Sequence, residues 1–265
     1  MGTSEYRKID IIKAGADFHK KKDNMLVPQE HVVTLVLNYQ EILELTCLNE
    51  NIEEFITGFL FTERIIDSIN DIASIEFSGD FKKVFVITKD DSSGKDYRDK
   101  IKRVVTGCHG GLIQTQIDGV ERPLVNKINI NLSLVYSCHR ILEEESKGYR
   151  LTRCIHTACL FDTCGNLLFK CEDIGRHNAV DKLAGFAVKS EKITEPLFVY
   201  VTGRISSEMV SKILLTNWIG IFSISSATFD AVELCRKFNI LLITRAKTKS
   251  LIICHQPENI MIEPD

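Results

Sequence analysis

After a polar leader, residues 31–37 and 42–47 form two runs rich in β-branched and aliphatic side chains, joined around Asn38-Tyr39-Gln40, and this pattern predicts a hairpin. A helix is predicted over 51–66, where Ile52, Phe55, Ile56, Phe59 and Leu60 recur at the spacing of one buried face, with Asn49 or Asn51 as its cap. Residues 72–77 and 83–88 flank Ser78-Gly79-Asp80, a second hairpin signal. The charged stretch 89–100 reads as a solvated loop or a short helix. These elements make the first part of the chain α+β.

Between 116 and 129 the pattern weakens, and a helical stripe resumes over 132–145 through Leu134, Val135, Cys138, Ile141 and Leu142. From there, strands at 155–161, 167–171, 197–201, 219–224 and 240–244 are interleaved with helices at 176–189, 207–216 and 228–238. A last strand is expected at 251–254. Strands alternating with helices need crossover connections, so a mostly parallel or mixed sheet with helices on its faces is expected. The fold class is α/β, with a smaller N-terminal α+β domain at 1–130 and an α/β domain at 131–265.

Composition narrows the function. The chain has 265 residues, 44% hydrophobic and 26% charged, an ordinary globular balance. Its 33 basic and 36 acidic side chains give a formal charge of −3, without the basic face that nucleic-acid backbones require. The longest apolar runs, 219–224 and 240–243, have the length of buried strands and fall far short of the roughly 18–20 residues that span a bilayer, so no membrane role is expected. Residues 1–8 lack the apolar segment of a signal peptide, and Tyr6 stands where a myristoylation signal has Ser or Thr.

Nine cysteines occur, no two closer than five positions, so no Cys-x-x-Cys zinc or redox motif is present. An odd number with no export signal reads as reduced thiols in a cytoplasm. Cys47, Cys159, Cys171, Cys235 and Cys254 lie in apolar surroundings and are expected to act as small hydrophobes. The spacings of zinc hydrolases, serine-hydrolase elbows, dinucleotide fingerprints and P-loops are also absent, and no metal site is expected.

In open α/β sheets ligands collect beyond the carboxyl ends of the strands. Three of the loops expected there are polar. In the first, Glu172-Asp173-Ile174-Gly175-Arg176-His177-Asn178 passes from strand to helix, where free N–H groups favour an anion. Four residues separate His177 from Asp181, so the carboxylate could orient the imidazole; alternatively Asp181 and Lys182 form a surface ion pair. The second, Thr202-Gly203-Arg204-Ile205-Ser206-Ser207, offers Ser206 or Ser207 as an N-cap, while Arg204 opposes the helix dipole unless an anion sits there too. The third, from Ser223 to Asp230, resembles a capped helix start. Near the end of the chain, Arg245-Ala246-Lys247-Thr248-Lys249-Ser250 reads as a solvated turn or, beside a polyanion site, as a clamp for it.

The most reactive-looking thiol is Cys108, set among Gly107, Gly110 and Gly111 with Lys102, Arg103 and His109 nearby. Glycines let the backbone approach a partner closely, and the cations can draw the thiol below its free pKa of about 8.5. The other reading is a Gly-rich hairpin that happens to hold a Cys.

Thr106-Gly107-Cys108-His109-Gly110-Gly111, His156-x-Ala158-x-Leu160-Phe161-Asp162, the block Glu172-Asp173-Ile174-Gly175-Arg176-His177-Asn178-Ala179-Val180-Asp181-Lys182, and Thr202-Gly203-Arg204-Ile205-Ser206-Ser207-Glu208-Met209-Val210 together resemble the FdhD family of formate dehydrogenase accessory sulfurtransferases. Gly58-Phe59-Leu60-x-x-Glu63-x-Ile65-Ile66 is similar to that family's N-terminal helix. The resemblance implies a homodimer with a cytidine-deaminase-like, three-layer α/β domain on a mixed sheet, without the deaminase zinc residues. It further implies that persulfide sulfur passes from a cysteine desulfurase, through Cys108, to the bis-molybdopterin guanine dinucleotide cofactor (molybdenum or tungsten) of formate dehydrogenase. By motif position Arg245–Ser250 corresponds to the cofactor-binding segment, and His177, Arg204 and Ser206 are candidates to hold the same ligand. A chaperone that binds the cofactor without carrying sulfur is the alternative. Many relatives carry a second cysteine in the loop where this chain has Gly111; Cys154 is the candidate to compensate.

Overall fold

The computed structural model describes residues 6–15, 20–89, 119–120, 122, 127–247 and 250–263. Strands β1 (Tyr6–Ala14) and β2 (Lys20–Pro28) pair as an antiparallel ribbon where the hydrophobic pattern shows only a polar leader. Most of the ribbon's side chains are exposed on both faces, so there is no alternation to read. The expected hairpin follows. Asn38 (φ 46°) and Tyr39 (φ 65°) take the left-handed conformation that a two-residue turn requires between β3 (His31–Leu37) and β4 (Gln40–Cys47).

Strands β5 (Ile72–Phe77) and β6 (Lys83–Thr88) complete a four-stranded sheet in the order β4-β3-β6-β5, and helix α1 (Ile52–Thr62) packs on it. Val33, Leu35, Leu37, Phe55, Ile56, Leu60, Val84 and Val86 are buried between them, each large side chain contributing about 1.5–3 kcal/mol. The cap of α1 departs from expectation: Asn51 is left-handed and makes no side-chain capping bond, while Glu53 and Glu54 complement the helix dipole. The helix ends at Thr62, short of 66, where Arg64 turns to φ 55° and the Ile65 N–H bonds back to the Leu60 carbonyl.

The second sheet has six strands: β8 (His156–Phe161), β9 (Leu167–Asp173), β10 (Phe198–Val201), β11 (Gly220–Ser223), β12 (Leu241–Lys247) and β13 (Ser250–His255). Their spatial order is β13-β12-β11-β10-β8-β9. The three central strands β10, β11 and β12 are parallel and the others antiparallel, so the sheet is mixed, as the α/β reading expects. Alternate side chains point to opposite faces. Val199, Val201, Ile221 and Leu242 meet helices α4 (Arg176–Lys189), α5 (Ser207–Leu214) and α6 (Phe229–Lys237). Phe198, Tyr200, Phe222, Leu241 and Ile243 meet α2 (Leu132–Glu145) together with β7 (Ile128–Asn131) and β14 (Ile260–Glu263), which pair in parallel. The short helix α3 (Lys147–Thr152) follows α2. Neither α3 nor the β7–β14 ribbon is signalled by periodicity, being too short to show one.

The block 172–182 is chiefly a joint between the two sheets. Asp173 and Lys182, both fully buried, form an ion pair at 2.7 Å. The Leu48 N–H donates to Asp173 (3.0 Å), and Lys182 donates to the Leu48 and Glu172 carbonyls (3.3 and 3.1 Å). Asn178 donates to the Thr46 carbonyl and to Asp173, both at 2.8 Å. Asp181 accepts from Thr62 at 2.7 Å and from Lys212 at 2.8 Å, and Lys212 also reaches Glu63 at 3.1 Å. Burial works against the Lys212 ammonium, but Asp181 and Glu63 outweigh it and hold its pKa above the ordinary value. Asp181 therefore does not orient His177, and neither Asp181 nor Lys182 belongs to a surface ion pair. Both are buried because α1 and the segment ahead of it pack across the face of the helix at Arg176–Lys189, bringing Thr62 to Asp181 and Leu48 to Lys182.

Candidate functional site

The strand directions bring the expected loops to one edge. Parallel strands β10, β11 and β12 all end there; β8, antiparallel to β10, begins there at His156, and β9 ends beside it at Asp173. The loop after β10 is held on both sides. Thr202 N–H donates to the Thr157 carbonyl (3.0 Å), Ser223 Oγ to the Gly203 carbonyl (2.8 Å) and Ile205 N–H to the Ser226 carbonyl (3.0 Å). Gly203 lets the loop pack closely: a Cβ at this position would lie 3.0 Å from the Arg176 Cβ and 3.3 Å from His156 Nδ1, tight enough that these neighbours would have to give way.

Around this loop stand His156, Arg176, His177, Arg204 and Ser206. His177 Nε2 lies 3.4 Å from Ser206 Oγ and 3.4 Å from Glu208 Oε2. These are the partners of the imidazole that the spacing assigned to Asp181. Burial, reinforced by Arg176, Lys212 and His156, lowers the His177 pKa to about 3. Burial also lowers His156, with Arg176 adding to the effect and Asp173 opposing it. His156 Nδ1 is 3.5 Å from Thr202 Oγ1. Both imidazoles are thus neutral at pH 7. Arg176 Nε is buried and finds no hydrogen-bond partner among the described residues, and Arg204 is exposed. Ser206 occupies the N-cap position of α5 but makes no side-chain capping bond, leaving its hydroxyl to His177. Two guanidiniums, two neutral imidazoles and a hydroxyl at the starts of α4 and α5 can receive an anion.

The C-terminal segment reaches the same edge. Arg245 is left-handed (φ 49°) and exposed, Ala246 is buried, and Lys247 pairs with Ser250 across the β12–β13 hairpin. Thr248 and Lys249 lie outside the described residues. Tyr200 anchors the segment from below, its hydroxyl donating to the Ala246 carbonyl at 2.9 Å and lying 3.1 Å from His139 Nδ1. Lys247 lines a groove of about 760 Å³ with Arg140, Tyr149, Arg150, Arg153 and Thr202. Glu143 and Glu144 also line it. Thr202 belongs both to this groove and to the His156 contact, so the two features are continuous. Arg140, Arg150, Arg153 and Tyr149 were not identified from sequence. Their one signal is the recurrence of cations at 140, 150 and 153, which acquires meaning only when α2 and α3 fold beside Lys247.

Cys108 lies outside the described residues, as does the stretch 90–118 around it. Among the described cysteines, Cys47, Cys138, Cys159, Cys171 and Cys235 are buried, and Cys254 is half-buried within hydrogen-bonding distance of Thr244. Burial pushes the thiols of Cys138 and Cys235 up to about 12 and raises Cys171 as well, which suppresses thiolate formation. Cys154 and Cys164 are exposed, Cys154 directly after the groove residue Arg153. Among the described residues no three His, Cys, Asp or Glu side chains are grouped to hold a metal ion, and no helix is long and apolar enough to cross a membrane.

The fold and this edge define an α/β protein with a mixed six-stranded sheet and a cationic carboxyl edge. The chain belongs to the FdhD/NarQ family, whose model matches residues 28–261. It is similar to the sulfur carrier protein FdhD of Wolinella succinogenes, at 28% identity over 93% of this chain and 86% of that one. It is likewise similar to those of Bacillus subtilis (30%, covering 92% and 93%) and Sulfurisphaera tokodaii (26%, covering 97% and 100%). A crystal structure of a formate dehydrogenase accessory protein from Desulfotalea psychrophila shares the fold, with a TM-score of 0.78 at 22% identity over 97% of this chain and 99% of that one.

Proposed function

We propose that this protein is a sulfurtransferase that takes sulfur as a persulfide on Cys108 and delivers it to the bis-molybdopterin guanine dinucleotide cofactor destined for formate dehydrogenase. The donor is a cysteine desulfurase, the working form a cytoplasmic homodimer, and the cofactor, carrying molybdenum or tungsten, is cargo. Relatives named sulfur carriers and a neighbour named a formate dehydrogenase accessory protein support the reading. The observation that carries it is the convergence of Arg176, Arg204 and Lys247 on one sheet edge, with the groove of Arg140, Arg150 and Arg153 alongside. A ligand with two guanine dinucleotide arms is a polyanion, and guanidiniums match phosphate oxygens in pairs.

In the first step the Cys108 thiolate attacks the outer sulfur of the donor persulfide. A new S–S bond forms on Cys108 as the donor's S–S bond breaks, and the donor cysteine leaves as thiolate. The Cys108 S–S bond then breaks with its electron pair on Cys108, which returns to thiolate, and the terminal sulfur passes at the sulfane level to the cofactor, whose reduced metal would supply the two electrons that make it a sulfide. The cations of the sheet edge hold the phosphates during transfer, and the neutral imidazoles of His156 and His177 add hydrogen bonds without adding charge.

The test is mass spectrometry after incubation with a cysteine desulfurase and cysteine. A gain of about 32 Da on Cys108, absent from Cys108→Ala, is expected. A chain that gains no sulfur, or a Cys108→Ala variant that still supports formate dehydrogenase activity, would favour the cofactor chaperone instead.

A further inference from the structure

At the opposite, amino-terminal edge of the parallel strands lies a second cavity of about 670 Å³. Its walls come from the end of α1 (Phe61, Arg64, Ile66), from Ile193 and Thr194 ahead of β10, and from Leu214, Leu215 and Asn217 ahead of β11, with Arg122 closing one side. Asp67 is the acidic side chain among its described lining. None of these residues belongs to the site at the carboxyl edge.

Two buried polar atoms here lack partners among the described residues: Arg122 Nη1, a donor, and Asn217 Oδ1, an acceptor. Both groups are fixed by their other ends. Arg122 Nη2 donates to the Trp218 carbonyl, and Asn217 Nδ2 donates to the Thr194 carbonyl at 2.7 Å, which sets the amide so that its oxygen is the unused atom. Leaving a buried guanidinium nitrogen and a buried amide oxygen unpaired is unfavourable, and one ligand can relieve both. Five apolar side chains, Phe61, Ile66, Ile193, Leu214 and Leu215, share the lining with Arg64, Asp67, Thr194 and Thr216. An inorganic anion would fill little of this volume, whereas small organic ligands occupy cavities of about 300–1,000 Å³.

From this we infer that the cavity is a binding site for an apolar amino-acid carboxylate, with the carboxylate on Arg122, the neighbouring N–H on Asn217 Oδ1 and the side chain among the aliphatic residues. The same chemistry is offered by a free apolar amino acid and by the C-terminal residue of a polypeptide. The inference does not depend on the sulfur-transfer reading, since no residue is shared with it.

Trp218 is the single tryptophan of the chain and its carbonyl holds Arg122, so intrinsic fluorescence reports directly on this cavity. The wild-type protein is titrated with N-acetyl-leucine and with N-acetyl-leucinamide, which lacks the charge. A saturable change is expected with the acid, with affinity for the amide weaker by about tenfold or more. Arg122→Gln should lose about tenfold for the acid, and Asn217→Leu should weaken both probes. Free leucine and a tetrapeptide ending in leucine then separate the two sources, the tighter binder identifying the natural one. Equal affinity for acid and amide, or no saturation by either up to about 10 mM, overturns the proposal. Should Arg122→Gln not fold, the acid-versus-amide comparison on wild type decides alone.

Discussion

Gly58 and Gly185 mark the point where α1 crosses α4: a Cβ on Gly58 would sit 1.7 Å from the Asp181 carbonyl oxygen, and one on Gly185 would sit 1.8 Å from that of Glu54. The obstacles are backbone atoms, which cannot rotate away. Gly58→Ala and Gly185→Ala should therefore each destabilise the protein by about 3 kcal/mol or more, despite the roughly 1 kcal/mol that alanine ordinarily adds to a helix. Thermal melts check this; an unchanged Tm in either variant would contradict the crossing.

The buried Asp173–Lys182 pair sets the second prediction. Removing one partner leaves the other charge uncompensated, so Lys182→Met should cost about 3–5 kcal/mol. The double variant Asp173→Asn/Lys182→Met should be less destabilised than the two singles added together, with a coupling of about 1–3 kcal/mol. Urea denaturation of the four proteins of the cycle measures it.

A pH dependence follows from His177. In an unfolded chain an imidazole takes up its proton near pH 6.5, whereas in the fold His177 does so near about 3. Between those values the unfolded chain binds more protons, so stability is full above about pH 6.5 and declines as the pH falls through the window. His156, also lowered, acts in the same direction. The His177 share between pH 7 and pH 5 is at most about 2 kcal/mol. Denaturant midpoints at the two pH values should differ in wild type, and the difference should shrink in His177→Gln, leaving the part that His156 supplies.

Charge at the carboxyl edge is tested with guanosine diphosphate. Arg204 and Lys247 are exposed, so Arg204→Gln and Lys247→Gln should leave Tm unchanged while weakening nucleotide binding about tenfold each. Added salt should narrow the gap between wild type and variants, because exposed charges are screened. Calorimetric titration at low and high ionic strength distinguishes this from a structural effect, which salt would not remove.

Much of the second sheet was legible in advance. The helix at 132–145 and the helix at 176–189 appear with the expected bounds, and the six strands of that sheet lie within a few residues of their forecasts, because each buries one face or both, whereas the β7–β14 pair had no forecast. The β1–β2 ribbon and α3 were not foreseen, since exposed or very short elements leave no periodic trace. At the candidate site, the residues of the 172–182 block could be recognised as a group but not divided by role. Arg176 and His177 face the edge, whereas Asp173, Asn178, Asp181 and Lys182 turn inward to Leu48, Thr46 and Thr62.

That division depends on partners more than a hundred positions away along the chain. Local order follows from side-chain periodicity, backbone preference and turn chemistry, all of which act over a few residues. Those forces sufficed to determine the α/β class, the order of elements and the loops where chemistry could collect. Which polar side chains would be buried as a joint, which would keep two imidazoles neutral, and how Arg140, Arg150 and Arg153 would join Lys247 were decided only when α1 lay across α4 and α3 folded beside the central sheet. Burial and electrostatic field are properties of that assembled packing, and no stretch of the chain carries them alone.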